Sequence, residues 1–338
     1  MQGPRSTGSG GRGAGRFVLR ALVLLVLVSW GAAARAEAPR LRTVSYLPHW
    51  VPQAQFAGFY VAAEKGMYRR HGLEVTVLRG VPEVKSTQAL AEGKADFVTT
   101  FLSTALERWD QGVDLVNVAQ LVQRSALLLV AKASSGIRTP ADLNGRKVCV
   151  WPEFRLQPLA LFRKFGVTPR VIDQRDTLNL FLRGGADAAS AMLYNEMHLL
   201  RNTGLDEDEL VVFRYDAYGL NFPEDGIYCL RSTLERDPAA VRAFVRGSLD
   251  GWRWAFEHEE EALDLVMRHV EAAGLPTSRV HHRWMLARMR ELMAPDGGRR
   301  PLGALEKADF EAVVKEMRAA GLLRKAPDYG TFHVDGTR

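Results

Sequence analysis

Aromatic rings and short polar side chains recur where predicted strands end, and together they suit the binding of a small flat heterocycle. Rings offer faces for stacking, whereas amide, hydroxyl and carboxylate groups offer fixed donors and acceptors. The predicted ligand-binding residues are Trp50, Gln53, Gln55, Tyr60, Ser103, Thr104, Trp151, Glu153, Tyr194, Asn195, Glu196 and Asp225. This combination indicates binding rather than catalysis.

Several of these residues have a plain structural alternative. Trp50 and Trp151 each follow a predicted strand close to a proline, which favours a loop position, but Tyr60 lies on a helix and could be a core residue. Glu153 and Glu196 could accept hydrogen bonds from an amino-pyrimidine edge or merely cap helices. The segment that contains Asp225, Asn221 to Gly226, could border a cleft or be a plain turn.

Signals of the common catalytic and metal sites are missing from the sequence. It contains no G-x-S-x-G, no P-loop and no G-x-G-x-x-G motif. His269, His281 and His282 lie in predicted helices without the H-x-x-x-H spacing of a zinc site. We therefore predict no catalytic residue, no metal and no cofactor.

Strand and helix patterns alternate along the first two thirds of the chain, which is typical of α/β folds with mainly parallel sheets. The predicted helices of the C-terminal part cover 238–257, 259–273, 278–293 and 307–320. The predicted strands are 43–47, 74–78, 96–100, 115–121, 126–131, 147–151, 170–173, 186–191, 210–214 and 227–230.

A short internal repeat indicates two corners of similar construction. Gly93-Lys94-Ala95-Asp96 and Gly184-Gly185-Ala186-Asp187 each end a predicted helix and open a strand. Seven residues after each aspartate comes a polar cluster, Ser103-Thr104 in the first copy and Tyr194-Asn195-Glu196 in the second. Ligands of open α/β sheets bind beyond the carboxyl ends of strands, so two such corners could form one cleft. The alternative is that G-x-A-D is a common turn repeated by chance.

Residues 1–36 have the composition of an export signal. Arginines precede an apolar run, 21–30, and Ala34-Arg35-Ala36 is typical of a cleavage site. We expect cleavage near Ala36 and a soluble periplasmic product, with an uncleaved anchor as the alternative. The other 302 residues exceed the size of a single core. We predict lobe 1 from 42–133 with 228–338, and lobe 2 from 134–227.

Charge and cysteine content narrow the function further. The formal charge is +6, but five of the 45 basic residues belong to the leader, which has no acidic residue. The remaining 40 basic residues nearly balance 39 acidic ones, which gives no support to nucleic-acid binding. Cys149 and Cys229 could form a disulfide or be two buried thiols, and their spacing does not decide between these.

The segment from Tyr46 to Val75 resembles the opening of the NMT1/THI5-like solute-binding proteins, whose pattern is W-x-P-N-x-x-x-x-G-x-Y-x-A. The matching positions are Trp50, Pro52, Gln53, Gly58, Tyr60 and Ala62. The resemblance implies a periplasmic binding protein of type II, with two doubly wound α/β lobes, a hinge and a helical C-terminal segment. It also implies a monomer that delivers a thiamine pyrimidine precursor, or a similar small molecule, to an ABC transporter permease.

Two departures from the family pattern bear on the ligand and the chemistry. Gln53 stands where asparagine is usual and Phe56 where histidine is common. The chain also resembles yeast thiamine-pyrimidine synthases, but Thr100 and Thr104 occupy the positions of their lysine and histidine, and only Cys229 lies near Asp225. A synthase-like enzyme and a periplasmic sensor for a membrane kinase remain the alternatives to a transport protein.

Overall fold

The structure is a computed structural model that describes residues 1–8, 41–295, 297 and 299–337. The predicted apolar run and cleavage site lie outside these residues. Residues 1–8 are exposed and belong to an N-terminal unit that ends at Arg40. Within the part of the chain that is described, no helix has the length and hydropathy needed to cross a membrane.

The unit that begins at Leu41 contains two five-stranded sheets with helices around them. The first sheet has the order β2-β1-β3-β10-β4, and the second has the order β7-β6-β8-β5-β9. The strands are β1 Arg42–Leu47, β2 Leu73–Val77, β3 Phe97–Phe101, β4 Leu115–Gln120, β5 Leu127–Lys132, β6 Lys147–Val150, β7 Arg170–Asp173, β8 Ala188–Met192, β9 Leu210–Arg214 and β10 Asp225–Leu230.

The helices connect these strands and form the C-terminal part of the chain. The earlier helices are α1 Ala57–Glu64, α2 Met67–Arg70, α3 Ser86–Ala91, α4 Leu102–Asp110, α5 Leu156–Phe165, α6 Asn179–Leu182 and α7 Glu196–Asn202. The later helices are α8 Arg231–Arg236, α9 Pro238–Glu257, α10 Glu259–Ala272, α11 Arg279–Met293, α12 Lys307–Ala319 and α13 Tyr329–Phe332.

The expectation of mainly parallel sheets is wrong, because half of the strand pairings are antiparallel. β1 pairs in parallel with β2 and β3, and β6 with β7 and β8. In contrast, β10 runs antiparallel to β3 and β4, and β5 to β8 and β9. β5 and β10 are each the first strand after the chain crosses from the other sheet, and each enters in the opposite direction.

Close packing of α1 on α9 explains one residue of the family pattern, Gly58. A Cβ on Gly58 would lie 2.3 Å from the Trp252 ring, and a Cβ on Gly251 would lie 2.0 Å from the Gly58 carbonyl oxygen. Phe244 of α9 also stacks on Phe97 of β3, with ring centroids 4.0 Å apart. Glycine at position 58 therefore serves the core, because any larger side chain would push the two helices apart.

Candidate ligand-binding site

The loop after β1 carries the first group of predicted site residues. It leads into a short 3₁₀ turn, Ala54–Phe56, whose three residues are buried together with Gln53. Gly80 packs against this loop so closely that a Cβ would lie 1.9 Å from the Trp50 carbonyl oxygen. The Trp50 side chain is 39% exposed, so its ring lies at the surface of the protein.

Polar side chains of this turn lie next to residues of both sheets. Gln53 Nε2 donates to Gln55 Oε1, and Gln55 Nε2 donates to Asp225 Oδ2 at 2.8 Å. The Tyr194 hydroxyl lies close enough to Gln55 for that amide to lower the tyrosine pKa. Asp225 begins β10 in the first sheet, whereas Tyr194 follows β8 in the second. The structure therefore brings four predicted site residues into one buried polar cluster between the sheets, which we call the hinge cluster.

Asp225 has hydrogen-bonding capacity to spare within this cluster. Its Oδ1 makes no hydrogen bond among the described residues, and His49 Nε2 lies 3.7 Å from it. The residue is 2% exposed. Burial raises the pKa of the Asp225 carboxyl, although His49 and Gln55 act in the opposite direction. A ligand that donates a hydrogen bond to Oδ1 would satisfy this buried acceptor and stabilise the ionised carboxylate.

Glu224, immediately before Asp225, braces the segments that cross between the sheets. Its Oε1 accepts hydrogen bonds from Ser125 Oγ at 2.9 Å and from the amides of Ala126 and Leu127 at 2.6 and 3.0 Å. Its Oε2 has no hydrogen bond in the described part of the chain. Burial, followed by the nearby charge of Asp225, raises the pKa of Glu224 to about 8.

Burial and nearby carboxyl groups raise the pKa of Tyr194. Burial raises the pKa of its hydroxyl well above the ordinary value, and Glu224, Asp225 and Glu196 add to the shift. Tyr194 therefore remains neutral and keeps its proton at physiological pH.

A group of aromatic rings lies next to the hinge cluster, and we call it the aromatic wall. Phe101, at the end of β3, stacks on Phe154 from the second half of the fold, with ring centroids 4.7 Å apart. His49 meets Phe101 edge to face at 5.7 Å, and Trp151 meets Phe154 in the same way at 6.2 Å. These rings come from the carboxyl ends of β1, β3 and β6, which is the edge where ligands of α/β folds bind.

Trp151 and Glu196, both predicted site residues, line one cavity of about 220 Å³ in the second half of the fold. Glu196 Oε2 accepts the amide of Met192 at 2.9 Å, and Oε1 accepts Asn195 Nδ2 at 2.7 Å. Burial raises the pKa of Glu196 despite these bonds. Glu196 is thus held by the residues just before its helix and lines a cavity, while its contact with a ligand stays a prediction.

A second contact between the two halves is formed by α7 and α11, and we call it the helix clasp. His281 Nδ1 lies 2.9 Å from His198 Nδ1, and His281 Nε2 lies 2.8 Å from Asn195 Oδ1. Trp284 Nε1 donates to the Leu193 carbonyl oxygen at 3.0 Å. Asn195 is thus brought to this contact. Burial lowers the pKa of His281 to about 4, so the pair is neutral at physiological pH.

The remaining predicted residues lie outside these contacts. Ser103 and Thr104 are half-buried in the first turn of α4. Glu153 is exposed. Tyr60 is 2% exposed, and its ring stacks on His269 of α10 with centroids 4.1 Å apart. Tyr60 therefore packs two helices together, which was its structural alternative. For all the predicted residues, contact with a ligand stays a prediction.

Seven residues of the cluster, wall and clasp were missed in the sequence analysis. They are His49, Phe101, Phe154, His198, Glu224, His281 and Trp284. His49 and Phe101 follow the rule already used for their neighbours, because both lie at the carboxyl end of a parallel strand. His281 gave no local signal, since its partner on α7 is distant in the sequence.

Both cysteines are free and buried, which decides between the two alternatives left open by the sequence. Cys149 lies on β6 and Cys229 on β10, in different sheets. Burial raises the pKa of both thiols, to about 12 for Cys229. Neither thiol therefore has the character of a reactive thiolate.

Two α/β halves joined by crossing segments, with polar groups of both halves in contact, define the periplasmic binding protein fold. A solved structure with this fold is the periplasmic aliphatic sulphonate binding protein SsuA of Escherichia coli, which superimposes with a TM-score of 0.66. It is 17% identical, and the match covers 87% of this chain and 92% of that one. The chain belongs to the NMT1/THI5-like family, whose model matches residues 53–262.

Two relatives match nearly the whole chain. A protein named riboflavin-binding protein RibY, from Chloroflexus aurantiacus, is 26% identical over 304 residues, covering 86% of this chain and 84% of the relative. A formylaminopyrimidine-binding protein from Halalkalibacterium halodurans is 23% identical over 307 residues, covering 88% of this chain and 91% of the relative.

Proposed function

We propose that this protein is an exported solute-binding protein that captures a small heteroaromatic ligand between two lobes and presents it to an ABC transporter permease. The observation that carries the proposal is the hinge cluster, in which Gln55 donates to Asp225 of one sheet and lies next to Tyr194, which follows a strand of the other. Ligand held by both lobes favours the closed state, which a permease can then recognise.

The ligand class is supported by the groups around the cluster and by the two relatives. Phe101, Phe154 and Trp151 offer rings for stacking, while Gln55, Asp225 and Tyr194 offer acceptors and donors. Riboflavin and formylaminopyrimidine, the ligands in the names of the relatives, are both flat nitrogen heterocycles. A thiamine pyrimidine precursor is the first candidate within this class.

Binding without catalysis is part of the proposal. Thr100 and Thr104 stand where the resemblance to yeast synthases would require a lysine and a histidine, and Thr100 is 5% exposed in β3. The thiol of Cys229 is buried and has a raised pKa. These residues supply neither an amine for a Schiff base nor a thiolate. Absorbance of a cofactor that co-purifies with the protein would contradict this part.

Thermal unfolding with a panel of riboflavin, 4-amino-5-hydroxymethyl-2-methylpyrimidine and other vitamin precursors tests the function. A ligand at about 100 times its dissociation constant stabilises the native state by roughly 2.7 kcal/mol, which is a measurable rise in Tm. The variant Trp50→Ala should weaken binding at least about tenfold while the Tm of the free protein stays nearly constant, because the ring is exposed. A panel without any shift would remove the heteroaromatic class.

A further inference from the structure

Asp225 of the hinge cluster and its neighbour Glu224 each have a side-chain oxygen that forms no hydrogen bond with the described part of the protein. Asp225 Oδ1 and Glu224 Oε2 are both buried, and neither has a hydrogen bond among the described residues. Buried polar atoms in native proteins are nearly always paired, so the unpaired Asp225 oxygen, in a buried cluster between the two sheets, points to a partner that arrives with a ligand.

The strand pairing places Asp225 on the same face of the first sheet as Phe101. Asp225 pairs with Phe101 across the antiparallel strands β10 and β3, so the two side chains lie on the same face of the sheet. The Phe101 ring stacks on Phe154 of the second half. Asp225 therefore lies on the face that meets the other lobe, where Gln55 and Tyr194 also converge.

Three carboxyl groups, those of Glu224, Asp225 and Glu196, lie near the Tyr194 hydroxyl. Glu224, with a pKa of about 8, is mostly protonated at neutral pH and adds little negative charge. An anionic ligand would add a further negative charge in a region of low dielectric constant, where like charges repel strongly. A ligand with N–H donors would instead supply the hydrogen bonds that the carboxylate oxygens lack.

We propose that Asp225, with Glu224 beside it, selects ligands that present N–H donors to the hinge and excludes ligands that carry a negative charge. This inference rests on the proposed function and specifies the ligand chemistry of the same site. Asp225 accepts the donor directly, because one of its oxygens is held by Gln55 and the other is unpaired. Glu224 is fixed through Oε1 by the crossing segment and holds the start of β10, where Asp225 lies, in place.

A matched pair of ligands tests the inference on the wild-type protein. We choose 4-amino-5-hydroxymethyl-2-methylpyrimidine and its 4-methyl counterpart, in which a CH₃ group replaces NH₂, together with ethanesulfonate as the anion. Isothermal titration should show the amino compound binding at least about tenfold more tightly than the methyl compound, because the methyl group leaves the buried acceptor unpaired. Ethanesulfonate should give no measurable binding.

The variant Asp225→Asn tests whether Asp225 causes the preference for the amino compound over the methyl compound. It keeps the shape of the side chain and removes its charge, so the preference for the amino compound should shrink several-fold. The matched control is Asp187→Asn, the same change at a carboxylate whose partner is the backbone amide of Lys147. The control variant should keep the wild-type preference.

The outcomes separate this inference from the proposed function. Equal binding of the amino and methyl compounds would overturn the inference and leave the heteroaromatic function standing. Tight binding of ethanesulfonate would also overturn it, because an anion would then fit the cluster. Absence of binding by every heterocycle would remove both proposals. If Asp225→Asn fails to fold, the comparison of the ligand pair on wild-type protein still decides.

Discussion

The two G-x-A-D corners of the molecule are built alike and then diverge. In the first, Asp96 Oδ2 accepts the amide of Ser45 at 2.8 Å, and the Asp96 amide donates to the Ser45 carbonyl at 3.2 Å. In the second, Asp187 Oδ2 accepts the amide of Lys147 at 2.8 Å, and the Asp187 amide donates to the Lys147 carbonyl at 2.8 Å. The sequence repeat is therefore a repeated structural element, and its aspartates serve the fold.

The difference appears in the residues that follow each aspartate. Ser103 and Thr104 of the first corner are half-buried at the beginning of α4. In the second corner, Tyr194 contacts Gln55, and Asn195 contacts His281 of α11. The two corners thus share a backbone arrangement but differ in the side chains that follow it. Of the two, the second corner supplies the contacts with Gln55 and His281 that were described above. The repeated aspartates therefore mark residues that stabilise the fold, whereas the residues that differ between the corners are the candidates for ligand specificity.

The largest expected effect comes from Glu224, which joins the segments between the two corners. Its pKa is about 8 in the folded protein, against about 4.5 for an ordinary glutamate. The folded state therefore binds a proton that the unfolded state lacks, and stability falls as pH rises from about 4.5 to about 8. Glu224→Gln should lose this dependence, a difference of roughly 1.4 kcal/mol for each pH unit in that range.

Urea unfolding of wild type and Glu224→Gln at several pH values measures this difference. Comparison with wild type is needed because His281 and His282, whose pKa values burial lowers to about 4, act in the opposite sense. Their unfolded forms gain protons below about pH 6.5, so they reduce stability as pH falls. Parallel stability curves for the two proteins would contradict the assignment to Glu224.

The two corner aspartates should differ in their contribution to stability. Asp96 accepts both the amide and the hydroxyl of Ser45, each at 2.8 Å, in a partly buried setting. Asp187 accepts the amide of Lys147 in an exposed setting, and its other oxygen lies 3.9 Å from the Arg146 guanidinium. We expect Asp96→Ala to reduce the free energy of unfolding by about 2 to 3 kcal/mol and Asp187→Ala by about 1 kcal/mol. Equal losses in urea unfolding would show that the corners are energetically equivalent.

The divergent positions should differ in ligand binding. Glu196→Gln keeps the shape of a side chain that lines the cavity with Trp151, but removes its charge. We expect the affinity for 4-amino-5-hydroxymethyl-2-methylpyrimidine to fall at least about tenfold, since charge-assisted hydrogen bonds are stronger than neutral ones. The counterpart in the first corner, Ser103→Ala, should change the affinity less than about threefold. A larger loss in Ser103→Ala, by titration calorimetry, would reverse the comparison.

The strands and long helices were predictable because their signals are local. β7 and β9 have the predicted bounds, Arg170–Asp173 and Leu210–Arg214. α9 begins at Pro238, as predicted, and the Asp237 side chain accepts the amide of Ala240 as its N-cap. Proline at the first helical position and a capping aspartate act within one turn, so the sequence alone specifies them.

Strand direction and the clasp depend on distant residues and were not predictable in this way. No local feature of the β10 sequence indicates that this strand is antiparallel to its neighbours. Its direction depends on how the chain returns from the second sheet to the first. Glu224 resembled a turn residue in a segment with proline and glycine, and only the fold reveals its contacts with Ala126 and Leu127. The role of each predicted residue in ligand binding stays a prediction, since it depends on a partner molecule.

The smallest expected effect concerns the helix clasp, which connects the second corner to α11. Trp284→Ala removes the hydrogen bond to the Leu193 carbonyl and the ring that contacts His198. The closed form should lose roughly 0.5 to 1 kcal/mol, which corresponds to a two- to fivefold weaker affinity for the same pyrimidine. Trp254→Ala, at another half-buried tryptophan on α9, is the control and should leave the affinity unchanged. If both variants weaken binding equally, the loss reflects general stability, and the clasp has no specific part in closing the cleft.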